Sequence, residues 1–212
     1  MADNQSQTEH DAVRESVIRG DDIHNEVRNI VVDALTHGKM EPEHIREVVR
    51  SVVQGALAGA AIDSQRSREA LQETLNGVDD ALTQVAQASR LAIEEAARHV
   101  ETYSEHDLKR ALNDLKDLEA LFLQTLTEVA TAGQETVYGI LRDLLQHTRQ
   151  SSTSVGRNIA QTLDHLQNLL AGSRANFHVA DAAKASGASV ARIASGFLAG
   201  IADSLSSNPD KS

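Results

Sequence analysis

The chain has 212 residues, with 20 Lys and Arg against 31 Asp and Glu for a formal charge of −11, and it contains no Cys, no Trp, two Pro, two Tyr and three Phe. Without cysteine it has neither a disulfide framework nor a thiolate metal site. Scarce aromatic residues and prolines point away from sandwiches and barrels. The acidic balance points away from a nucleic-acid partner, whose phosphates are met by Lys and Arg.

Residues 1–9 are polar and are expected to fray outside the folded part. No basic-then-apolar leader is visible in Met1–Asp11, and no apolar run is long enough to span a bilayer, so the reading is a soluble cytoplasmic protein. A first helical pattern, over 10–37, places Val13, Val17, Ile23, Val27, Ile30 and Ala34 on one face, with Gly38 where a C-terminal cap belongs. Pro42 opens a second helix over 42–103. Its apolar positions are Ile45, Val49, Val52 and Ala56, and the pattern weakens over 63–68. It then resumes as Leu71, Leu75, Val78, Leu82, Val85, Ser89, Ala92 and Ala96, the narrow seam of a coiled coil. Ser104 with Asp107 is the restart signal for a third helix over 105–171, and Ser151–Ser154 is where that helix is expected to break. A fourth, over 174–206, carries Ala183, Gly187, Val190, Ala194, Phe197, Ile201 and Leu205, and 207–212 form a polar tail.

Reversing direction at each turn makes this an all-α protein of long antiparallel helices, one elongated domain over 10–206. Its four-helix body is formed by 10–69 and 139–206, and a two-helix coiled-coil-like arm over 70–138 projects for roughly 50 Å. Glycines inside helices each cost about 1 kcal/mol relative to Ala, so a return is expected from them in close backbone approach. Gly20, Gly55, Gly59, Gly77, Gly133, Gly196 and Gly200 are the candidates. In the up-down arrangement Gly20, Gly59 and Gly196 share one level, and Gly77 faces Thr131 and Gly133. Val52–Gly59 and Ile193–Gly200 echo one another, with two glycines four apart in each.

The residue patterns supply little chemistry. Asp21-x-x-His24 and Glu41-x-x-His44 have the spacing of carboxylate-bridged di-iron bundles, but no inward glutamate pair matches them on the other helices, so neither metal nor cofactor is assigned. Glu95/His99 and Asp143/His147 read as surface pairs. No nucleotide loop, nucleophile elbow or zinc-protease motif occurs, and the chain is not read as an enzyme.

Two apolar surfaces carry more. Leu118, Leu121, Phe122, Leu123 and Leu126 exceed what one partner helix covers, which implies self-association of two arms, a dimer being favoured. On the last helix Val190, Ile193, Phe197, Leu198 and Ile201 oppose Ser186, Ser189, Ser195 and Ser204. That is the pattern either of a core helix or of one that adsorbs to a lipid surface.

Ser104–Leu108 and Ala194–Asp203 resemble stretches of a proteobacterial all-helical family of unknown function, over most of the chain from about residue 22. The resemblance implies a bacterial helical protein and brings no activity or site. In composition and long amphipathic helices the chain also resembles phasins, which coat polyester storage granules, though without a shared motif. The resulting expectation is a non-enzymatic scaffold that self-associates and meets a protein partner, with a phasin-like coat on a polyester or membrane surface as the alternative.

Overall fold

The computed structural model describes residues 2–37, 42–62, 65–98, 105–151 and 153–173. Among them the chain forms seven α-helices and no strand: α1 (Ala2–Arg19), α2 (Ile23–His37), α3 (Pro42–Ala60), α4 (Ser67–Arg98), α5 (Glu105–Thr131), α6 (Thr136–Ser151) and α7 (Ser154–Ser173). The architecture is all-α, and Pro42 is the first residue of α3, but the long helices of the sequence reading are cut into shorter ones. The expected helix over 174–206 lies outside the described residues.

Each cut has a local cause. Gly20 and Asp22 both take positive φ, 77° and 50°, which no right-handed helix sustains. The Gly20 N–H closes α1 on the Ser16 carbonyl at 2.9 Å, and the Asp22 carbonyl opens α2 by accepting from Glu26 N–H at 3.1 Å. The expected helix over 10–37 is therefore two helices. The pattern weakens where α3 ends at Ala60 and α4 begins at Ser67, and the buried Ser67 hydroxyl donates to the Ala60 carbonyl at 2.6 Å, tying α4 to the end of α3. The third helix breaks twice. One break is the serine run, as the sequence indicates. The other is at 132–135, where Gly133 lies against the Tyr138 ring and the Glu135 carbonyl accepts from Tyr138 and Gly139 N–H. Residues 2–9, expected to fray, are the first turns of α1, held where the Ser51 hydroxyl donates to the Ser6 carbonyl.

The glycines decide how these helices meet. Ser6 lies beside Ser51, 45 residues on, and the same offset sets His10 against Gly55 and Arg14 against Gly59, so α1 runs parallel to α3. A Cβ on Gly59 would stand 2.8 Å from Val17 Cβ and 2.9 Å from the Arg14 carbonyl oxygen, and one on Gly55 would strike the His10 carbonyl. Gly77 of α4 receives α2 in the same manner, its absent Cβ lying 2.6 Å from the His24 carbonyl oxygen. Gly77 thus faces α2 and not the neighbourhood of Thr131 and Gly133. Gly20 and Gly133 serve the turns rather than a helix crossing, and Gly196 and Gly200 lie outside the described residues.

Among the described residues, those of 70–138 do not stand apart as a two-helix arm. One continuous core joins Val13 and Val17 of α1 and Val27, Val31 and Leu35 of α2 to Val49 and Val52 of α3 and Leu71, Val78 and Leu82 of α4. It continues through Phe122 and Leu126 of α5, Leu141 and Leu145 of α6, and Val155 and Ile159 of α7. At about 1.5–3 kcal/mol for each large side chain removed from water, this burial is the main force holding the helices together. The break at Gly20–Asp22 allows α2 to turn back onto α4, which a continuous 10–37 helix does not allow.

α6 and α7 run together alongside α4 in the same direction. Arg68 meets Asp143 at 3.3 Å, 75 residues on, and Asp79 meets Ser154 at the same separation. The first turn of α7 is held by carboxylates from two other helices. Asp79 of α4 accepts from Ser154 N–H at 2.7 Å and from Val155 N–H at 3.0 Å. Thr153, buried, accepts from Gly156 N–H at 2.9 Å and donates to Glu119 of α5 at 2.5 Å. These bonds satisfy amides that a helix N-terminus otherwise leaves open, and they place negative charge at the positive end of its dipole.

Three substitutions check this account. Gly55→Ala should lower the free energy of urea unfolding by about 1–3 kcal/mol through overpacking against α1. Gly139→Ala should raise it by up to about 1 kcal/mol, since the nearest atom to a Cβ there is Arg142 Nη2 at 3.8 Å. Equal effects at the two positions would contradict the close approach of α1 and α3. Asp79→Ala should cost about 1–2 kcal/mol. It should also speed amide exchange at Ser154 and Val155 more than in α2; uniform acceleration would deny Asp79 a capping role.

Candidate interaction groove

The apolar face of α5 is largely consumed by the chain itself. Phe122 is 1% exposed, Leu126 0% and Leu118 5%, while Leu121 and Leu123 are half-buried against the same core. α5 is packed by α3, α4, α6 and α7, so more than one helix covers it. Leu118, Phe122 and Leu126 are therefore core residues rather than a free self-association face, and only Leu121 and Leu123 keep part of their surface outward. Val190, Ile193, Phe197, Leu198 and Ile201 lie outside the described residues.

The histidines of the two carboxylate–histidine pairs go to different places. His24 Nε2 lies 2.8 Å from Asp80 and its Nδ1 3.8 Å from Glu73, which ties α2 to α4 above Gly77. His44 Nε2 lies 3.2 Å from the Ala34 carbonyl oxygen. Among the described residues no three His, Asp or Glu side chains converge in a way that holds a metal ion. His24 reads instead as a structural link between helices.

A surface groove of about 510 Å³ runs between α5 and α6. Its α5 wall is Thr127, Ala130 and Thr131, and its α6 wall is Arg142, Leu145, Gln146, Arg149 and Gln150. The turn at 132–135 makes α5 and α6 an antiparallel pair, and these residues follow from that pairing. Arg142 reaches back to donate to the Ala130 carbonyl at 2.8 Å and the Gly133 carbonyl at 3.1 Å, satisfying the last carbonyls of α5. One turn pair further along α6, Arg149 donates to the Thr127 hydroxyl at 2.6 Å. Thr127 and Thr131 donate in turn to the carbonyls of Leu123 and Thr127, so their hydroxyls are occupied within α5. Ala130 and Leu145 are buried beneath. The groove therefore has an apolar floor, with two guanidinium groups and two amides at its rim.

Arg19, Arg50 and Arg68 meet the carboxylates of Glu26, Glu128 and Asp143, whereas Arg28 donates to the Asn29 side chain and Arg157 to the Ser151 carbonyl and Ser154 hydroxyl. Arg142 and Arg149 likewise meet carbonyl and hydroxyl oxygens. The sequence holds a signal for this site, two arginines seven apart with Leu145 between them. It went unread because an unbroken helix over 105–171 does not bring α6 back against α5.

The profile of a family of unknown function, DUF6781, matches residues 1–207, and the chain belongs to that family. No curated protein matches the chain. No solved structure matches it either.

Proposed function

We propose that this member of a family of unknown function is a non-enzymatic interaction protein of the cytoplasm, a rigid helical scaffold that holds a partner in the groove between α5 and α6. The observation that carries the reading is the amphipathic groove itself, an apolar floor of Ala130 and Leu145 beneath Arg142 and Arg149. Floors of this kind take the apolar face of a partner segment, and fixed polar groups at the rim orient it. Self-association belongs to the same reading, with the half-buried Leu121 and Leu123 as the part of α5 left to a second copy. A photoreactive amino acid at Gln146 should give a discrete adduct in the native host that is absent when it stands at the exposed Gln72 of α4. No adduct at Gln146, or the same adducts from both positions, overturns the reading.

The second reading is a phasin-like coat on a polyester or membrane surface. What favours it is the sequence of 174–206, where Val190, Ile193, Phe197, Leu198 and Ile201 oppose a serine-rich side. Among the described residues no helix is long and apolar enough to cross a membrane. Full-length protein should then float with liposomes or polyester granules, and protein ending at Ser173 should stay in the soluble fraction. Full-length protein that never floats removes this reading.

A further inference from the structure

We infer that the α5–α6 groove takes an acidic amphipathic helix of a partner protein, one with two carboxylates about a heptad apart on either side of an apolar residue. The inference rests on the reading of the groove as a partner site and names the chemistry of that partner. Three observations lead to it.

The first is charge. In a chain of net charge −11, two arginines stand at the rim of one groove and neither is paired with a carboxylate among the described residues. Arg142 spends Nη1 on two carbonyls, and Arg149 spends one Nη2 bond on Thr127. A guanidinium carries five donors in a planar fork, so each keeps donors suited to a carboxylate. The second is spacing. Positions 142 and 149 lie on one face of α6, separated along the axis by roughly 10.5 Å. A partner helix laid along the groove presents carboxylates at that interval when they are seven residues apart, and its intervening apolar side chain falls between the two guanidinium groups. The third is the preset geometry. Arg149 is held to Thr127 and Arg142 to the end of α5 before any partner arrives, which lowers the ordering cost of binding. Gln146 and Gln150 add neutral amides beside them, so the rim favours carboxylates without repelling the backbone that carries them.

The test uses the full chain and two labelled synthetic helical peptides. One has glutamates seven residues apart around a leucine, and the other has glutamines in their place. By fluorescence anisotropy the glutamate peptide should bind, and its affinity should fall as salt rises. Arg149→Gln, chosen because it leaves the α5 cap of Arg142 intact, should weaken binding at least ~10-fold, as expected for loss of a charge-assisted bond. Arg149→Lys should recover part of it, and circular dichroism should show unchanged helix content in both variants. Equal binding of the two peptides, or indifference to Arg149→Gln, overturns the inference. If the photoreactive residue at Gln146 captures a partner while the glutamate peptide fails to bind, the groove stands as an interaction site and its acidic specificity falls. If neither occurs, both fall. An adduct at Gln146 that joins two copies of this chain also overturns it, since the groove is then an oligomer contact.

Discussion

At Gly55 and Gly59 the backbone of α1 lies where side chains would stand, and the rest of the bundle is arranged around that approach. A glycine in a helix interior gives up about 1 kcal/mol to alanine, and only tight packing offsets it. Here the offset is visible: Val13 and Val17 reach full or near-full burial against α3, which supplies Val52, Val53 and Ala56 to the same core. Gly77 repeats the device for α2 on α4, and the His24 link to Asp80 lies beside it. The scarcity of aromatic residues fits this arrangement. Closely spaced helices leave little room for rings, and the one phenylalanine in the described core, Phe122, sits on α5, away from those crossings.

Much of this was legible in the residues. The seam from Leu71 to Val85 is buried as its spacing implies, Pro42 begins a helix, and the serine run divides α6 from α7. What went unread was punctuation by residues that helices also tolerate. Gly20-Asp21-Asp22 is a glycine stop followed by an aspartate start, and the step of six from Val17 to Ile23 breaks the helical spacing that Val13–Val17 and Ile23–Val27 keep on either side. Gly133 sits in a stretch where Val129 and Val137 keep a helical interval across a real turn. Hydrophobic periodicity reports which side faces the core, and a tight corner that returns the chain to the same core preserves that side. Missing these two corners produced an arm that is not separate, and it hid the pairing of α5 with α6 that forms the groove.

The candidate site was less legible than the fold for a related reason. Leu118, Phe122 and Leu126 looked surplus when α5 was given one neighbour, and they are core residues once α3, α4, α6 and α7 all reach it. Nothing in the spacing of Arg142 and Arg149 states what lies opposite them. Their meaning depends on the carbonyls of Ala130 and Gly133 and the hydroxyl of Thr127, groups placed only by the turn between the helices. Local pattern thus indicates burial well. Partners across a turn require the turn itself.

The parallel docking of α1 on α3 also bears on how the chain comes to be folded. Parallel neighbours in a helical bundle are not joined by a short reversal, so α1 has to wait for α3 to supply its seat. Until synthesis has passed residue 60, Val13 and Val17 have no glycine-lined surface to enter, and they remain exposed to water or to a chaperone. α1 is in this sense made before its seat exists, a delay that follows from the 45-residue offset between two helices in contact.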